Sequence, residues 1–421
     1  MVEHTYICRT PGQSIWTNKF KYFFYFLRGV TEMEELDLRY GMNPHQKKAK
    51  LYSKERLPLK ILNGEASYIN FLDALNAFQL VTELSRSIGE PAAASFKHVS
   101  PTGAAVYSPL SDSLIKSYFV EGLELSPLAV AYAKARGTDR VSSFGDCAAF
   151  SDPVDITVAN LLKKEVSDLV VAPAYDEDAL AILKKKKNGK YLIIQIDPEY
   201  SPDLIEHRSV FGVTMEQERN NAVITSDLLN KTIVSSRKII PGESRRDLLV
   251  ALITLKYTQS NSVCFALDGQ TIGIGAGQQS RIHCTRLAAE KADNWWLRQH
   301  TLALEMKFRE GISRVEMNNA IDGWLTNDFT EIEEQQWKQY FHVVPEGLKM
   351  DEKRKWLENL SDVSFASDAF IPFRDNVDRA ARSGVKYIIQ AGNSSRDEQV
   401  LQAVNEYGMV MGYSGIRLFL H

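Results

Sequence analysis

The adjacent residues Lys97 and His98 are the part of the sequence best suited to acid–base chemistry. A histidine titrates near neutral pH and can accept or donate a proton, while a lysine ammonium beside it can stabilise a developing oxyanion. Small and turn-forming residues follow at 100–103, which is typical of a place where the backbone approaches another group closely. The alternative is a surface lysine next to a histidine in the core, and the pair alone leaves both interpretations open.

A glycine-rich loop at 273–277 is a second candidate, because the backbone N–H groups at the start of the helix that it precedes favour an anion. Its G-x-G-x-G spacing differs from the G-x-G-x-x-G fingerprint of dinucleotide-binding folds, and the sequence contains no P-loop motif. Arg281 and Arg286 add positive charge to the predicted helix. A tight corner between a strand and a helix explains the glycines equally well.

Arginines and aromatic residues elsewhere suggest contacts with a planar, phosphorylated ligand. Arg39, Tyr40 and Arg417 lie close to predicted turns, where a guanidinium can bind a phosphate bidentately; surface ion pairs are the alternative. The segment 368–376 combines aromatic side chains with two carboxylates. It could stack on a heterocycle and hydrogen-bond to it, or form a loop that packs on the core.

The sequence predicts no metal site. The only close pairing of ligand types is His283-Cys284, and adjacent residues on a helix point about 100° apart, so they rarely share a metal. The zinc-deaminase pattern, H-x-E followed by P-C-x-x-C, is absent. These observations argue against a zinc nucleoside deaminase, which the fold class would otherwise allow.

Helices and strands that alternate along the chain predict an α/β fold with mixed sheets flanked by helices. A helix over 69–88, with Asn70 as its N-cap, precedes a strand at 92–96. A second helix over 246–255 precedes a strand at 263–267. Because the two units have similar parts, the pattern suggests an internal duplication.

Other segments complete the predicted fold. Asp268-Gly269 predicts a two-residue hairpin turn that leads into a strand at 270–274. The acidic segment 326–364 predicts surface helices. Buried strands are predicted at 169–173 and 191–196, and further helices at 177–187 and 396–407.

The composition excludes several classes of protein. The 421 residues include 50 basic and 53 acidic side chains, a net charge of -3 that does not favour a nucleic-acid coat or a membrane-surface binder. No apolar run reaches the roughly 18 residues that a membrane helix needs, and the aromatic run 22–27 predicts packing on the body or on a partner subunit. The four cysteines are too widely spaced for a disulfide framework, so a reducing, cytosolic compartment is expected.

A series of motifs in a fixed order resembles one known family. The longest are LRYGMNPHQ at 38–46, SFKHVSPTGAA at 95–105 and GIGAGQQSRIHC at 273–284. On these motifs, the sequence resembles the AICAR transformylase part of the bifunctional purine biosynthesis family. The resemblance covers about residue 36 to 421. The remaining motifs lie at 142–146, 165–168, 256–262, 367–370, 372–376 and 417–419.

The resemblance implies a function and a fold. The implied reaction transfers the formyl group of 10-formyltetrahydrofolate to the 5-amino group of AICAR, giving FAICAR and tetrahydrofolate in de novo purine biosynthesis. The implied fold has two cytidine-deaminase-like subdomains, an internal duplication without zinc. We expect them at 37–200 and 201–421, after a leader at 1–36. Members of the family form homodimers whose two copies share the active sites.

The resemblance also implies roles for individual residues. His98 removes the proton from the AICAR amine, Lys97 stabilises charge on the formyl oxygen, and Asn261 polarises the formyl group. The AICAR-binding residues implied in this way are Arg39, Tyr40, Gly145, Asp168, Phe370 and Arg417. The folate-binding residues implied in the same way are Arg281, Ile282, Asp375, Ser394 and Ser395.

Two departures from the family pattern affect the prediction. Only about 36 residues precede the transformylase motifs, so we expect a monofunctional enzyme that lacks the cyclohydrolase domain and depends on a separate IMP cyclohydrolase. Ile371 stands where the family usually has a second phenylalanine, and 391–393 differs from the commoner loop near the folate. The alternative function is a non-catalytic relative that binds AICAR or folate.

Overall fold

The computed structural model describes residues 34–53, 56–230 and 232–421. The aromatic run 22–27, Cys8 and nearly all of the expected leader therefore lie outside the described residues. The described strands are β1 (Glu34–Asp37), β2 (Lys50–Ser53), β3 (Leu59–Asn63), β4 (Ala92–Lys97), β5 (Ser100–Val106), β6 (Asp146–Phe150), β7 (Ser167–Ala172), β8 (Leu192–Ile196), β9 (Ile205–Val210), β10 (Val213–Glu218), β11 (Val263–Leu267), β12 (Gln270–Gly275), β13 (Lys307–Phe308), β14 (Phe341–Val343), β15 (Val363–Ser367), β16 (Val385–Gln390) and β17 (Val410–Tyr413).

Helices connect most of these strands, as an α/β fold requires. No helix in the described part of the chain combines the length and the apolar character needed to cross a membrane. The described helices are α1 (Tyr68–Ile88), α2 (Asp112–Ser117), α3 (Pro127–Gly137), α4 (Ile156–Lys164), α5 (Glu177–Lys184), α6 (Ser226–Asn230), α7 (Gly242–Lys256), α8 (Arg281–Leu297), α9 (Thr301–Leu304), α10 (Arg314–Thr326), α11 (Glu331–Lys338), α12 (Met350–Leu357), α13 (Asp375–Ala381) and α14 (Asp397–Glu406).

One 11-stranded sheet runs through the molecule in the order β17-β16-β15-β11-β12-β5-β4-β6-β7-β8-β3. It confirms the predicted α/β class and is mixed, as expected. In its first half, β4 pairs antiparallel with β5 and with β6, and β6, β7 and β8 are parallel. In its second half, β11 pairs antiparallel with β12 and with β15, and β15, β16 and β17 are parallel. The two halves therefore repeat one pattern of strand order and direction.

The two halves meet where β5 pairs antiparallel with β12. The helices repeat too: α1 and α7 precede the two hairpins, and α3 and α8 follow them. The second half carries an insertion from α9 to α12 between α8 and β15. A small core around Trp324, Trp337 and Phe341 stabilises this insertion.

The sheet is the middle layer of three, because both of its faces are buried. Ala92, Ala94 and Phe96 of β4 pack in the core that contains α1 and α7. Ala93 packs in the opposite core, with helices α3, α4, α5, α8, α13 and α14. Successive residues of a strand point to opposite faces, so the small residues of β4 let both helical layers approach the sheet closely.

Several predicted elements are confirmed, and some details are wrong. The helix predicted at 69–88 is α1, but Ser67 is its N-cap and Asn70 lies at the third helical position, where its Oδ1 accepts the Ser67 N–H at 2.9 Å. The predicted Asp268-Gly269 hairpin is confirmed. The strand β5 was not predicted, because its small residues gave no apolar alternation. Trp337 is buried, so the acidic segment is not confined to the surface.

Candidate functional site

Lys97 and His98 lie at the end of a hairpin. Lys97 is the last residue of β4, His98 and Val99 form the turn, and β5 begins at Ser100. Both turn residues have left-handed backbone conformations, with φ of 55° at His98 and 59° at Val99. A positive φ is rare for a β-branched residue, and such strain costs about 1–3 kcal/mol. Strain of this kind clusters at functional sites, so the turn is a candidate site independently of its residue types.

Asp73 of α1 anchors this turn through its side-chain carboxyl group. Its Oδ1 accepts the backbone N–H of Val99 at 2.7 Å, and the backbone N–H of His98 also lies within its reach. Burial raises the pKa of Asp73 to about 6, while the hydrogen bond from Val99 and the charge of His98 oppose that rise. The helix α1 therefore fixes the position of the turn through one buried carboxyl group.

The Lys97 ammonium lies on the rim of the site. It donates a hydrogen bond to the carbonyl oxygen of Phe144 at 2.5 Å and lies 5.9 Å from the Phe144 ring. Gly145 follows with φ of 74°, and a Cβ at that position would meet Asp168 Oδ2 at 3.4 Å. Asp168 in turn pairs with Lys187 at 2.5 Å. The structure thus brings Lys97, Gly145 and Asp168 together along the ends of neighbouring strands.

A second cluster surrounds the fully buried Asp368, just after β15. Its carboxylate pairs with the Arg281 guanidinium and accepts hydrogen bonds from the Ser260 hydroxyl at 2.6 Å and the Ser262 backbone N–H at 2.9 Å. Arg281 also donates to Asn261 Oδ1 at 2.8 Å. Two predicted site residues, Asn261 and Arg281, are therefore in direct contact. Asp368 is one of the two carboxylates of segment 368–376 that the sequence offers for hydrogen bonding to a heterocycle, but here it is buried and pairs with Arg281.

A pocket of about 390 Å³ joins the two halves of the sheet next to these clusters. Lys97 and His98 line it together with Gln259 and Gly277, and Ser100 Oγ accepts the Gln259 N–H at 3.3 Å. The glycine loop at 273–277 is therefore a wall of this pocket. Arg281, expected to add positive charge to the helix that follows this loop, is buried and paired with Asp368.

The residues expected on the folate side lie at the starts of two helices, α8 and α13, and in the loop that follows β16. Asp375 is the first residue of α13 and accepts a hydrogen bond from Asn376 Nδ2 at 2.9 Å. Ser394 and Ser395 lie between β16 and α14, and the neighbouring Arg396 guanidinium lies 5.0 Å from the Phe373 ring. Phe370, before α13, is half-exposed, whereas the atypical Ile371 is buried. Ile282 is partly buried beside Arg281.

Of the arginines expected to bind phosphate, Arg39 lies next to the start of α1, and Arg417 precedes Leu418, whose N–H donates to the Asp368 carbonyl oxygen. Arg39 donates to the hydroxyl of Tyr40 at 2.8 Å, and backbone hydrogen bonds from Arg39 to Ala66 and from Tyr68 to Tyr40 hold both residues at the start of α1. Arg417 lies near the C-terminus, 4.7 Å from the Phe419 ring.

In the described part of the chain, no group of three or more His, Cys, Asp or Glu side chains is arranged to hold a metal ion. Cys147, Cys264 and Cys284 are buried free thiols. The fold and the Lys97–His98 turn thus define an α/β protein with a pocket equipped for proton transfer and oxyanion stabilisation.

Comparison with known proteins then places the chain in a family. The family model described as the AICARFT/IMPCHase bienzyme matches residues 18–291, and the chain belongs to that family. The chain is 32% identical over 395 residues to the bifunctional purine biosynthesis protein PurH of Magnetococcus marinus. It is 31% identical over 389 residues to proteins of the same name from two strains of Cereibacter sphaeroides. Each match covers 91% of this chain and 59% of the relative, so the chain spans about three fifths of their length.

Proposed function

We propose that the chain transfers a formyl group from 10-formyltetrahydrofolate to the 5-amino group of AICAR, a step of de novo purine biosynthesis. Membership of the AICARFT/IMPCHase family supports a role in this pathway. The observation that carries the proposal is the Lys97–His98 turn, where an imidazole and an ammonium face one pocket. The intact pair favours an enzyme over a non-catalytic relative that only binds AICAR or folate.

The reaction needs a base at the amine nitrogen and a positive charge at the formyl oxygen. The AICAR amine is a weak nucleophile, because its lone pair is conjugated into an electron-poor imidazole. His98 takes a proton from this amine as its nitrogen attacks the formyl carbon, and Lys97 stabilises the oxyanion that forms. The bond between the formyl carbon and N10 then breaks, and N10 receives the proton from His98. The products are FAICAR and tetrahydrofolate.

The position of Lys97 suits this role. An ammonium has three N–H donors, so Lys97 can keep its hydrogen bond to the Phe144 carbonyl and still donate to an oxyanion. The Phe144 carbonyl therefore fixes the position of the ammonium and leaves its other N–H donors available for an oxyanion. Asn261, whose amide is oriented by Arg281 and by the Gln278 carbonyl, would polarise the formyl group from the other half of the sheet.

The helix α1 offers a way to orient AICAR. Arg39 and Tyr40 lie at its N-terminal end, and Asp73, which holds the His98 turn, lies five residues after Tyr68. At 1.5 Å per residue this separation is about 7.5 Å, comparable with the span of a ribose phosphate. A phosphate at Arg39 and Tyr40 would thus leave the amine near His98. Gly145, Asp168, Phe370 and Arg417 complete the AICAR contacts in this proposal.

The folate would bind near Arg281, Ile282, Asp375, Ser394 and Ser395, in the second half of the sheet. As the resemblance implies, we propose a homodimer in which two copies share each site. The hairpin of β9 and β10 supports this dimer: all its residues are exposed, and isolated two-stranded hairpins are marginally stable. The repeated strand order supports an internal duplication. The subdomains 37–200 and 201–421 and their relation to the cytidine deaminases are part of this proposal, as the resemblance implies.

A direct assay tests the proposed reaction. The purified chain is mixed with AICAR and 10-formyltetrahydrofolate, formation of tetrahydrofolate is followed by absorbance, and the products are identified by mass spectrometry. We expect FAICAR from the wild type, and about 10²–10⁴-fold lower kcat from His98→Ala, the usual contribution of a general base. AICAR binding without any FAICAR would replace this proposal with the binding-protein alternative. Detection of IMP would reveal a cyclohydrolase activity as well.

A further inference from the structure

Two aspartates occupy equivalent places in the repeated halves of the sheet. Asp73 is the sixth residue of α1 and accepts the N–H of Val99 at 2.7 Å. Asp247 is the sixth residue of α7 and accepts the N–H groups of Asp268 at 2.8 Å and Gly269 at 2.7 Å. In each half, a buried carboxyl group on the helix before the hairpin therefore holds the two-residue turn of that hairpin.

The two turns differ in what they carry. The second turn contains Gly269, which adopts its φ of 75° without steric cost. The first turn has Val99 in the same place with φ of 59°, so its backbone is strained. The first turn also carries His98, which faces the pocket, whereas Asp268 of the second turn pairs with Lys134. Asp268 also has a positive φ, of 53°, but aspartate tolerates the left-handed conformation. Only the first turn thus places a β-branched residue there beside a group that faces the pocket.

The charges around the two carboxylates also differ. Asp247 is paired with Arg246 at 3.0 Å. Asp73 has no ion-pair partner among the described residues, and the charged groups that act on it are His98 and Asp168. A buried carboxylate without a cation costs free energy, so the backbone N–H groups of the turn are its main compensation. Asp73 is therefore more costly to keep than Asp247, which points to a role beyond stability.

We propose that Asp73 is a positioning residue for His98. Its carboxyl group holds the strained turn and so directs the imidazole into the pocket at the distance that proton transfer requires. Because a displacement of about 1 Å can reduce a rate about 10²-fold, a relaxed turn would lower kcat more than substrate binding. The inference rests on the proposed formyl transfer, since kcat for that reaction is its first readout.

The test compares Asp73→Asn with Asp247→Asn. The asparagine can still accept one backbone N–H, so both variants should fold. We expect Asp73→Asn to lower kcat for FAICAR formation by about tenfold or more, with less than about a threefold change in KM for AICAR. Asp247→Asn, the matched control, should keep kcat within about twofold of the wild type. Normal kcat in Asp73→Asn, or an equal loss in Asp247→Asn, would overturn the proposal.

A second variant separates positioning from chemistry. Val99→Gly removes the steric cost of the turn, so it should restore part of the lost kcat when added to Asp73→Asn. Failure of this rescue would indicate that Asp73 acts chemically, and the positioning role would be wrong. Hydrogen exchange of the backbone N–H of Val99 gives a readout that needs no activity: it should accelerate in Asp73→Asn and not in Asp247→Asn. An inactive wild type with this exchange pattern would reject the formyl transfer but keep the positioning role.

Discussion

At the scale of single residues, the site places the anchored ammonium of Lys97 beside the solvent-exposed side chain of His98. The Lys97 ammonium is only partly buried, yet its hydrogen bond to the Phe144 carbonyl holds it at the rim of the pocket. His98 is exposed, but its backbone is fixed by Asp73 and by the flanking strands. A base that is open to solvent and a cation that is anchored beside it can act on one bound molecule without rearranging the core.

The anchored ammonium leads to a prediction about Lys97. Lys97→Met removes the charge but keeps an unbranched side chain of similar length, so it should lower kcat for FAICAR formation about 10²–10³-fold, the usual cost of losing an oxyanion donor. Lys291→Met is the control, because Lys291 lines the same pocket but pairs with Asp139 at 2.9 Å. Steady-state kinetics of both variants measure the effect. Equal losses in both variants would show that general positive charge matters, rather than Lys97 itself.

The raised pKa of Asp73 leads to a prediction about stability. The pKa of Asp73 is about 6 in the folded protein and about 3.9 in an unfolded chain, so between these values the folded state holds the extra proton and stability falls as pH rises. Asp73→Asn removes this dependence. Its free energy of unfolding should therefore rise by about 2 kcal/mol relative to the wild type between pH 4.5 and pH 7.5. Urea denaturation at the two pH values measures the change.

A matched control has the opposite sign. A hydrogen bond from the backbone of Glu199, together with Arg56, lowers the pKa of the partly exposed Asp197. Stability from this group is present above its unfolded pKa and is lost as pH falls, so Asp197→Asn should lose stability relative to the wild type as pH rises. In the Asp73→Asn variant, His98 and Asp168 are unchanged, and these are the charged groups that act on Asp73 in the wild type. A difference for Asp73→Asn that does not change with pH would contradict the assignment.

At the scale of elements, the two hairpins show what the sequence could predict. Asp268-Gly269 is a strong signal for a two-residue turn, so the hairpin of β11 and β12 was predicted correctly. The equivalent turn at His98 and Val99 uses residues that disfavour the left-handed conformation, so the hairpin of β4 and β5 was missed. The motif at 95–105 contains the candidate residues Lys97 and His98. Only the structure shows that Asp73 holds their turn, because this hydrogen bond joins residues 26 positions apart.

The link between β15 and α8 depends on one buried ion pair. Asp368 is fully buried, and Arg281, the first residue of α8, is its charged partner. Arg281→Met should therefore lower the free energy of unfolding by about 3–5 kcal/mol, because it leaves a buried carboxylate unpaired. Lys338→Met, which breaks an exposed pair with Glu334 at 2.8 Å, should cost less than about 1 kcal/mol. Urea denaturation compares the variants, and similar losses would show that water reaches Asp368.

At the scale of the whole molecule, the strand directions bring predicted site residues of both halves to one edge of the sheet. The pairs β4–β5, β5–β12 and β12–β11 are all antiparallel, so β4 and β11 run in opposite directions. The end of β4, with Lys97 and His98, therefore lies at the same edge as the start of β11, next to Asn261. Helix and strand periodicity predicted the elements of both halves, but it could not predict how the halves meet. That arrangement depends on the antiparallel contact of β5 with β12, which has no local sequence signal.

The proposed dimer can be tested at the hairpin of β9 and β10. Phe211, at its turn, is 103% exposed, and Val213 and Met215 beside it are also exposed, which is a costly arrangement unless another surface covers them. Phe211→Asp should therefore shift the protein from dimer to monomer in sedimentation velocity experiments and lower FAICAR formation in parallel. Ile332→Asp, which places the same charge on an exposed position of α11, should leave both unchanged. Because shared sites require two copies, a monomeric variant with full activity would show that one chain contains the complete site, and a monomeric wild type would reject the dimer.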